Sequence, residues 1–359
     1  TCDRTESDMA RNVQRERTTL SEVALLAGVS PSTVSLVLTG KSDERRIPQE
    51  TRDRVRQAAE DLNYAPNLLT RSLRRGRTHV LSFFSSFRHR DWGDLYMERI
   101  SSAVETAGGE FGYDILVHCN FRRSLKETYQ FLNGGMADGL LFFAPEASDP
   151  LLEMLRNSSL PVVIINGRDP LGDVPSVADD VESGMAAVVD RLVHLGHRRI
   201  AALASTGTDV RDSDLRIGLL GRELAARGLD LPSERVQLAG ADPLPALEGL
   251  LAAPERPTAL FCWHDRLAYR SLEALDRLGV SVPEELSLIG YDGLHWPSTS
   301  QHICSSVEVD LGAIARDAVR LLDQAIADPS LKGVHLRVPV GFRLGTTCAP
   351  NPLAATEHS

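Results

Sequence analysis

The sequence predicts an α/β protein in which a small all-α head precedes a body of two lobes, each built on a doubly wound parallel sheet. Apolar stripes at helical spacing recur three times within residues 18–64, with no strand pattern between them. From Thr78 onward, short apolar runs alternate with amphipathic helices, which is the rhythm of parallel β-α-β units. Residues 78–350 are too many for one such sheet, so two lobes are expected.

The composition is that of an ordinary globular protein. Of 359 residues, 42% are hydrophobic and 25% are charged, which allows a sizeable core. Five cysteines are scattered without a CxxC pair, which argues against a disulfide scaffold or a cysteine zinc site and favours a reducing cytoplasm. No apolar run approaches the ~20 residues that cross a bilayer. Flexible tails are expected at residues 1–17, which are too polar for a signal peptide, and at 351–359.

Three helices are predicted in the head. The first carries an apolar stripe from Leu20 to Ala27 and stops at Gly28, a residue that tolerates a left-handed helix end. The second opens with Ser30-Pro31, an N-cap followed by proline at the first helical position. The third spans residues 49–62.

In the body, strands and helices follow one another along the chain. The apolar runs predict strands at 79–84, 114–118, 139–143, 161–165, 199–203, 258–262 and 286–290. The intervening amphipathic segments predict helices at 95–107, 124–134, 150–157, 183–194, 215–227, 245–252, 265–278 and 311–327.

Charge is distributed unevenly between head and body. Residues 18–77 carry ten basic and seven acidic side chains, a net charge of +3, whereas residues 78–359 carry 25 and 38, a net charge of −13. Four arginines stand at the junction: Arg71, Arg74, Arg75 and Arg77. This pattern favours a head that meets a polyanion, although +3 over sixty residues is also unremarkable for a solvated surface.

Small hydroxyl residues open the second helix of the head. Ser32, Thr33 and Ser35 stand near its N-terminus, where hydroxyls and backbone amides can bind phosphates and touch base edges. The pattern predicts DNA binding, and a generic three-helix unit is the alternative on pattern alone.

The stretch 19–77 closely resembles the headpiece of the lactose-repressor (LacI/GalR) family of bacterial transcription regulators. The matching elements are Val23-Ala24, Ala27-Gly28-Val29-Ser30, Thr33-Val34-Ser35, Glu50-Thr51-Arg52, the run from Leu62 to Asn67, Leu73 and Gly76. The resemblance implies a helix-turn-helix domain over 18–65 and a hinge helix within 66–77. In that hinge, Leu73 either wedges into the minor groove or packs between domains. The DNA contacts that it implies are Thr19, Leu20, Ser30, Pro31, Ser32, Thr33, Ser35, Leu36, Asn67, Arg71 and Leu73.

Two departures from the family pattern concern base readout. Pro31-Ser32 stands where family members carry a long polar pair, and Leu36 stands where an arginine reads guanine. Direct readout is therefore expected to be weaker, or to use contact between Leu36 and a thymine methyl group.

The resemblance continues through the body. The matching segments are Leu192 to Leu203, Pro257 to Cys262 followed by Asp265, and Pro283 to Asp292. They imply the periplasmic-binding-protein type I fold: two Rossmann-like parallel-sheet lobes over residues 78–350, with chain crossings near 178, 307 and 338. This part is expected to bind an effector and to dimerise.

Five ligand contacts follow from the resemblance: Tyr96, Asn166, Arg216, His264 and Asp292. Tyr96 and Arg216 are expected to open helices, and the other three to lie at the C-terminal ends of strands, the ligand edge of open parallel sheets. An arginine opposite an aspartate suits a sugar or polyol, and His264 in place of the usual asparagine leaves an acidic sugar open. Loop capping is the alternative for Asn166 and His264.

Two aromatic residues near the cleft edge remain ambiguous in the sequence. Trp263 and Trp296 could stack on a sugar ring or belong to the core.

These features together predict a cytoplasmic, ligand-responsive transcription regulator, expected to be a repressor. The partners implied are double-stranded operator DNA, a sugar-like effector and a second copy of the chain, with a tetramer left open. No cofactor, metal or membrane is expected. His194 and His197 straddle the helix stop at Gly196, so they are not expected to bind one metal ion. A solute-binding transport protein would lack residues 18–77. An enzyme would need a phosphate-binding glycine loop or a catalytic pair in the cleft, and the sequence shows neither motif. Both alternatives are disfavoured.

Overall fold

The computed structural model describes residues 18–39, 46–65, 76–85, 94–206 and 210–351. Contacts divide the chain into a head that ends at Thr78 and a body that begins at His79. The predicted tail at 1–17 and the predicted DNA contacts Asn67, Arg71 and Leu73 lie outside the described residues.

The head contains three helices, α1 (Leu20–Ala27), α2 (Pro31–Leu38) and α3 (Gln49–Asp61). The first begins at a capping box in which Thr19 and Glu22 satisfy each other's backbone amides, and it ends at Gly28 with φ of 63°. Val23, Val34 and Val55, one from each helix, are completely buried against one another in a single apolar cluster. The three predicted helices are present with bounds close to those expected.

Lobe one of the body is a six-stranded, wholly parallel sheet. In chain order it contains β1 (Val80–Ser85), α4 (Leu95–Glu110), β2 (Asp114–Val117), α5 (Leu125–Leu132), β3 (Gly139–Phe143), α6 (Pro150–Arg156), β4 (Val162–Ile165) and β5 (Ser176–Asp179). The sheet order is β11-β5-β4-β3-β1-β2, where β11 (His335–Val338) arrives from the end of the chain.

Lobe two repeats this winding. It contains α7 (Val181–His194), β6 (Ile200–Ser205), α8 (Val210–Ala225), β7 (Val236–Ala239), α9 (Leu244–Leu251), β8 (Ala259–Cys262), α10 (Asp265–Arg277), β9 (Ser287–Asp292), β10 (Ser305–Glu308) and β12 (Gly341–Arg343). The order is β12-β10-β9-β8-β6-β7, and only the short edge strand β12 runs antiparallel to its neighbour among the described pairs.

The chain passes between the lobes three times. It leaves lobe one after β5 and returns after β10 to form α11 (Leu311–Ala327) and β11. After β11 it crosses again to add β12 to lobe two. Helix α11 packs its apolar face on the sheet of lobe one.

Both faces of each sheet are covered, which explains the near-continuous apolar runs in the sequence. In β3, Leu141 and Phe143 join α4 and α11 in one core cluster, whereas Leu140 and Phe142 join α5 and α6 in another. A strand buried on both faces has no polar side, so it reads as an unbroken apolar run.

The sequence pattern missed five strands and misplaced one helix start. Strands β5, β7, β10, β11 and β12 are only three or four residues long, and several contain serine, arginine or glutamate. Helix α8 begins at Val210 rather than at 215, so the expectation that Arg216 opens a helix was wrong: it lies in the second turn. The first turn of α8 contains mainly charged and polar residues, so the apolar spacing did not indicate that the helix begins there.

Within the described residues, no single helix is both long and apolar enough to span a membrane. Helices α1 and α2 reach that length and composition only together, as a pair bent by 101°.

Candidate functional site

A cavity of about 560 Å³ lies between the two lobes of the body. Lobe one contributes the residues that follow β4, the end of β5 and the start of α4. Lobe two contributes the start of α7, residues of α8 and the residues at the ends of β8 and β9. The five side chains predicted to bind a ligand all line this cavity: Tyr96, Asn166, Arg216, His264 and Asp292. We call this cavity the cleft.

Arg216 is the buried cation of the cleft. Its Nη1 donates to the carbonyl oxygen of Trp263 at 2.6 Å and lies 3.3 Å from Oδ1 of Asp292. Its guanidinium carbon stands 3.7 Å from the ring centroid of Tyr291. Burial alone would lower the pKa of Arg216, but the neighbouring groups, led by the Asp292 carboxyl, outweigh burial and raise it. The guanidinium therefore stays charged and is held in one orientation.

Asp292 faces Arg216 from the last position of β9. Its φ of 113° lies in the left-handed region, which non-glycine residues seldom adopt. Burial raises the pKa of Asp292, the Arg216 guanidinium opposes that rise, and the Asp179 carboxyl adds to it. This carboxyl group therefore gains a proton more readily than an exposed aspartate.

A fully buried carboxyl group, Asp265, holds the turn that follows Asp292. Its Oδ2 accepts the backbone N–H of Leu294 at 2.6 Å, and its Oδ1 accepts the hydroxyl of Ser306 at 2.7 Å. The Ser306 hydroxyl accepts the N–H of Gly293 at 3.2 Å. These bonds fix the backbone on the C-terminal side of Asp292, so Asp265 positions the cleft carboxyl without lying on the cleft wall.

His264 has two roles in the structure. Its Nδ1 accepts the N–H of Leu267 at 3.0 Å and so caps α10, while its ring stacks on Trp263 with centroids 3.9 Å apart. Burial lowers the pKa of His264 to about 3, and the Arg216 and Arg266 charges add to that effect. The ring is therefore neutral at physiological pH. Because Nδ1 accepts, the ring hydrogen is on Nε2.

The lobe-one wall presents neutral polar groups. Asn166 follows β4 with φ of 51°, and its amide donates to the hydroxyl of Tyr96. Burial raises the pKa of Tyr96, and the Asp292 and Asp179 carboxyls raise it further, so the phenol keeps its hydrogen. Asn166 and Tyr96 offer hydrogen bonds to the cleft without adding charge.

The head presents the predicted DNA contacts of α2 on an accessible surface. Pro31 and Ser32 are exposed, whereas Ser35 and Leu36 are half-buried. Ser30 caps the helix, accepting the N–H of Thr33 at 3.2 Å and pairing with the Thr33 hydroxyl at 2.9 Å. The exposed end of α2 thus places hydroxyl groups at a helix N-terminus, an arrangement suited to a phosphate.

The two predicted contacts ahead of α2 are more engaged with the head itself. The Thr19 hydroxyl bonds Oε2 of Glu22 at 2.9 Å within the capping box, and Leu20 packs against the head core.

Comparison with known proteins finds a matching family for the head and one for much of the body. Residues 19–67 match the family described as bacterial regulatory proteins, lacI family, and residues 189–348 match the periplasmic binding protein-like domain. The chain belongs to the LacI family. It is 29% identical to the HTH-type transcriptional repressor PurR of Mannheimia succiniciproducens, over 88% of this chain and 93% of that protein. It is 25% identical to catabolite control protein A of Priestia megaterium, over 91% and 99%.

Solved structures of LacI-family proteins share the fold. The lac repressor dimer bound to operator and the anti-inducer ONPF aligns with a TM-score of 0.79, 21% identity, and coverage of 93% of this chain and 100% of that one. The complex of the transcriptional regulator CelR with cellobiose aligns with a TM-score of 0.66, 26% identity, and coverage of 92% and 100%. The predicted fold class, a helix-turn-helix head on two parallel-sheet lobes, is confirmed.

This LacI-family chain is a DNA-binding transcriptional repressor and not an enzyme. The comparisons set aside the transport and enzyme alternatives. Among the described residues, no group of three histidine, cysteine or acidic side chains could hold a metal ion. His197, one of the two histidines considered for a metal, instead bonds the Thr258 hydroxyl and the Ala349 carbonyl, both at 3.0 Å.

Sequence reasoning missed several charged residues of the cleft. The wall also includes Asp94, Arg168, Asp179, Glu182, Asp212, Arg266 and Arg337. Asp179 ends β5 and Asp212 lies in the first turn of α8, so both were hidden by the missed strand and the misplaced helix start. A charged residue just after a correctly predicted strand was the signal that could have found Arg168, which follows β4, and Arg266, which follows β8. Trp263 and Trp296 line the cleft and also belong to the lobe-two core.

Proposed function

We propose that this repressor binds a neutral sugar or polyol in the cleft and that the bound molecule changes its affinity for operator DNA. The observation that carries the proposal is the buried pair of Arg216 and Asp292 on the cleft wall, 3.3 Å apart. A guanidinium only donates hydrogen bonds, whereas the Asp292 carboxyl group offers an acceptor oxygen whether or not it carries a proton. A hydroxyl group does both, so the pair can orient one from two sides.

The charge balance of the cleft favours a neutral ligand. Five acidic residues line it, Asp94, Asp179, Glu182, Asp212 and Asp292, against the four arginines Arg168, Arg216, Arg266 and Arg337. An anionic ligand would meet no excess of positive charge. His264 does not supply one, because its pKa of about 3 leaves the ring neutral. This argues against the acidic sugar that the residue type had left open.

Size and aromatic residues also fit a sugar. A cavity of about 560 Å³ is within the range of small-molecule sites. Tyr96 and Trp263 line the cleft from opposite lobes, and aromatic side chains can pack against the apolar face of a sugar ring. CelR, 26% identical to this chain, was solved with cellobiose, a neutral disaccharide.

For DNA, we propose that a cytoplasmic homodimer places α2 of each head in the major groove of a pseudopalindromic operator. The exposed Ser32 and the capped N-terminus of α2 would contact phosphates, and Leu36 would contact a thymine methyl group. Residues 18–65 would read DNA, 66–77 would form the hinge with Leu73 as its wedge, and 78–350 would bind the effector and dimerise. The family pattern supports this division.

A ligand screen on the full chain tests the effector. We expect neutral mono- or disaccharides or polyols to raise the thermal unfolding midpoint, and titration calorimetry to give a saturable isotherm. Sugar acids and flat purine bases form the contrasting sets. Binding confined to either contrasting set contradicts the proposal.

Selection from a random DNA library, followed by salt titration, tests DNA binding. We expect a pseudopalindromic consensus whose affinity falls steeply between ~50 and ~200 mM salt, because arginines and helix N-termini replace counterions. The effector found in the screen should shift that affinity. A flat salt response contradicts the electrostatic part of the proposal.

A further inference from the structure

A hydrogen bond joins the two lobes behind the cleft wall. The Tyr291 hydroxyl donates to Oδ2 of Asp179 at 2.6 Å. Tyr291 belongs to β9 of lobe two, whereas Asp179 is the last residue of β5 in lobe one, immediately before the chain first crosses between lobes. Tyr291 is completely buried, so this bond forms where water competes little for either partner.

The bond is adjacent to the charged pair of the cleft. The Arg216 guanidinium stacks on the Tyr291 ring at 3.7 Å, and Asp292 is the next residue along β9. Asp179 itself lines the cleft. A molecule that occupies the cleft therefore meets one partner of the interlobe bond directly, and it meets the other through Arg216.

The phenol packs closely against the backbone of α7. Gly184 lies in the first turn of α7, directly after the first crossing. A Cβ atom there would stand 2.8 Å from the Tyr291 hydroxyl and 3.1 Å from a methyl group of Val307. The glycine permits the close approach that brings the hydroxyl to Asp179. Burial and the Asp179 carboxyl both raise the pKa of Tyr291, so the phenol retains the hydrogen that it donates.

We infer that Tyr291 and Asp179 form a latch that holds the lobes together when the cleft is empty, and that Tyr291 is a positioning residue for Arg216. A hydroxylated molecule in the cleft competes with Tyr291 for the Asp179 carboxylate and engages Arg216, which releases the latch. This second step rests on the proposed function, whereas the latch itself does not.

The distance between two spin labels, one on each lobe, tests the latch in the full chain without ligand. Leu171 of lobe one and Leu238 of lobe two are 69% and 65% exposed, so Leu171→Cys and Leu238→Cys give accessible labels. Cys2, Cys119 and Cys348 are replaced by serine, while Cys262 and Cys304 are fully buried and stay. Tyr291→Phe removes only the hydroxyl, and thermal unfolding confirms that each variant is folded.

We expect Tyr291→Phe to shift the ratio of short to long distances roughly 10- to 100-fold toward long, the effect of one hydrogen bond to a charged group. Tyr113→Phe is the matched control, because the Tyr113 hydroxyl donates to Asp323 at 2.7 Å and both residues lie within lobe one. A Tyr291→Phe distribution that overlays the parent, or an equal change in Tyr113→Phe, overturns the latch.

A double-mutant cycle shows whether the two partners act together. Asp179→Ala and the double variant Asp179→Ala/Tyr291→Phe should each show the same distance distribution as Tyr291→Phe alone. Additive opening in the double variant contradicts a direct bond. Arg216→Lys keeps the charge but loses the planar stack, and it should shift the distribution in the same direction. No shift would remove Arg216 from the latch. Because no ligand is present, these results are independent of the effector screen.

Discussion

Helix α2 of the head and the cleft of the body are built in opposite ways. In α2, the predicted contacts from Ser30 to Leu36 are neighbours in sequence and carry no charge. Their geometry is set by one local cap, the bond from the Thr33 amide to Ser30. In the cleft, Tyr96 and Asp292 are separated by most of the body, and the central groups are charged and buried.

The contrast indicates how each region responds to change. A local, exposed site depends on one helix, so a substitution there affects DNA contact and little else. A long-range, buried site depends on many partners, so a substitution there alters both binding and folding. The two regions should therefore be separable by mutation, and four variants test that separation.

The largest effect is expected from Arg216→Ala. Effector affinity should fall at least ~100-fold, because the variant removes the donor fork and leaves Asp292 buried without its cation. Operator affinity without effector should stay within a few-fold, since the head is unchanged. Calorimetry and operator binding on the same preparation measure both. Arg227→Ala is the control, because Arg227 pairs with Asp190 and Glu223 away from the cleft. Full effector affinity would remove Arg216 from the site.

Asp265→Ala should have the next largest effect. It leaves the Leu294 amide and the Ser306 hydroxyl without their acceptor, which should lower the free energy of unfolding by about 1–3 kcal/mol and weaken effector binding by misplacing Asp292. Urea unfolding and calorimetry measure the two effects. Asp317→Ala, which removes a surface pair with Arg320, should change neither. Unaltered effector affinity in a destabilised Asp265→Ala would show that this turn does not position the site.

His264→Asn should alter the pH dependence of stability. The folded-state pKa of about 3 lies below the ordinary value near 6.5, so the folded state favours the neutral ring. The stabilisation is full above pH ~6.5 and is lost as pH falls toward 3. Between pH ~7 and ~5 the parent should lose about 1–2 kcal/mol more than His264→Asn, since asparagine also caps the helix but does not titrate.

Unfolding at several pH values measures this difference. His118, whose pKa burial and Arg123 lower to about 4, supplies acid sensitivity that both proteins share. Parallel pH profiles for the parent and His264→Asn would contradict the buried neutral ring.

The smallest effect is expected from Ser30→Ala. Loss of the N-cap should cost about 1 kcal/mol of helix stability and weaken operator binding by up to about tenfold, with effector binding unchanged. Ser124→Ala is the matched control, because Ser124 caps α5 in lobe one through the amide of Glu127. Equal losses of operator affinity in both variants would show that the effect is general destabilisation and not the DNA surface.

Prediction from the sequence worked best where the signal was local. The head helices, with the cap at Ser30 and the stop at Gly28, follow from residues a few positions apart. The resemblance named five cleft residues that the fold brings to one cavity. The resemblance did not identify Asp265 as a residue that holds Asp292 in position. Asp265 bonds the backbone just after Asp292, and a contact between segments far apart in the chain produces no recurring spacing in the sequence.

The sequence by itself determined the fold class, the alternation of strands and helices, and the capped helix α2. Apolar periodicity and capping residues act over a few positions, so they can be read from neighbours in the chain. Only the tertiary structure decided that β12 runs antiparallel, that Arg216 is held by Trp263 and Asp292, and that Tyr291 reaches Asp179 in the other lobe. Those contacts join segments that are far apart in the chain and that come together because the chain passes three times between the lobes. Burial of these groups then shifts their pKa values and so determines which of them are charged.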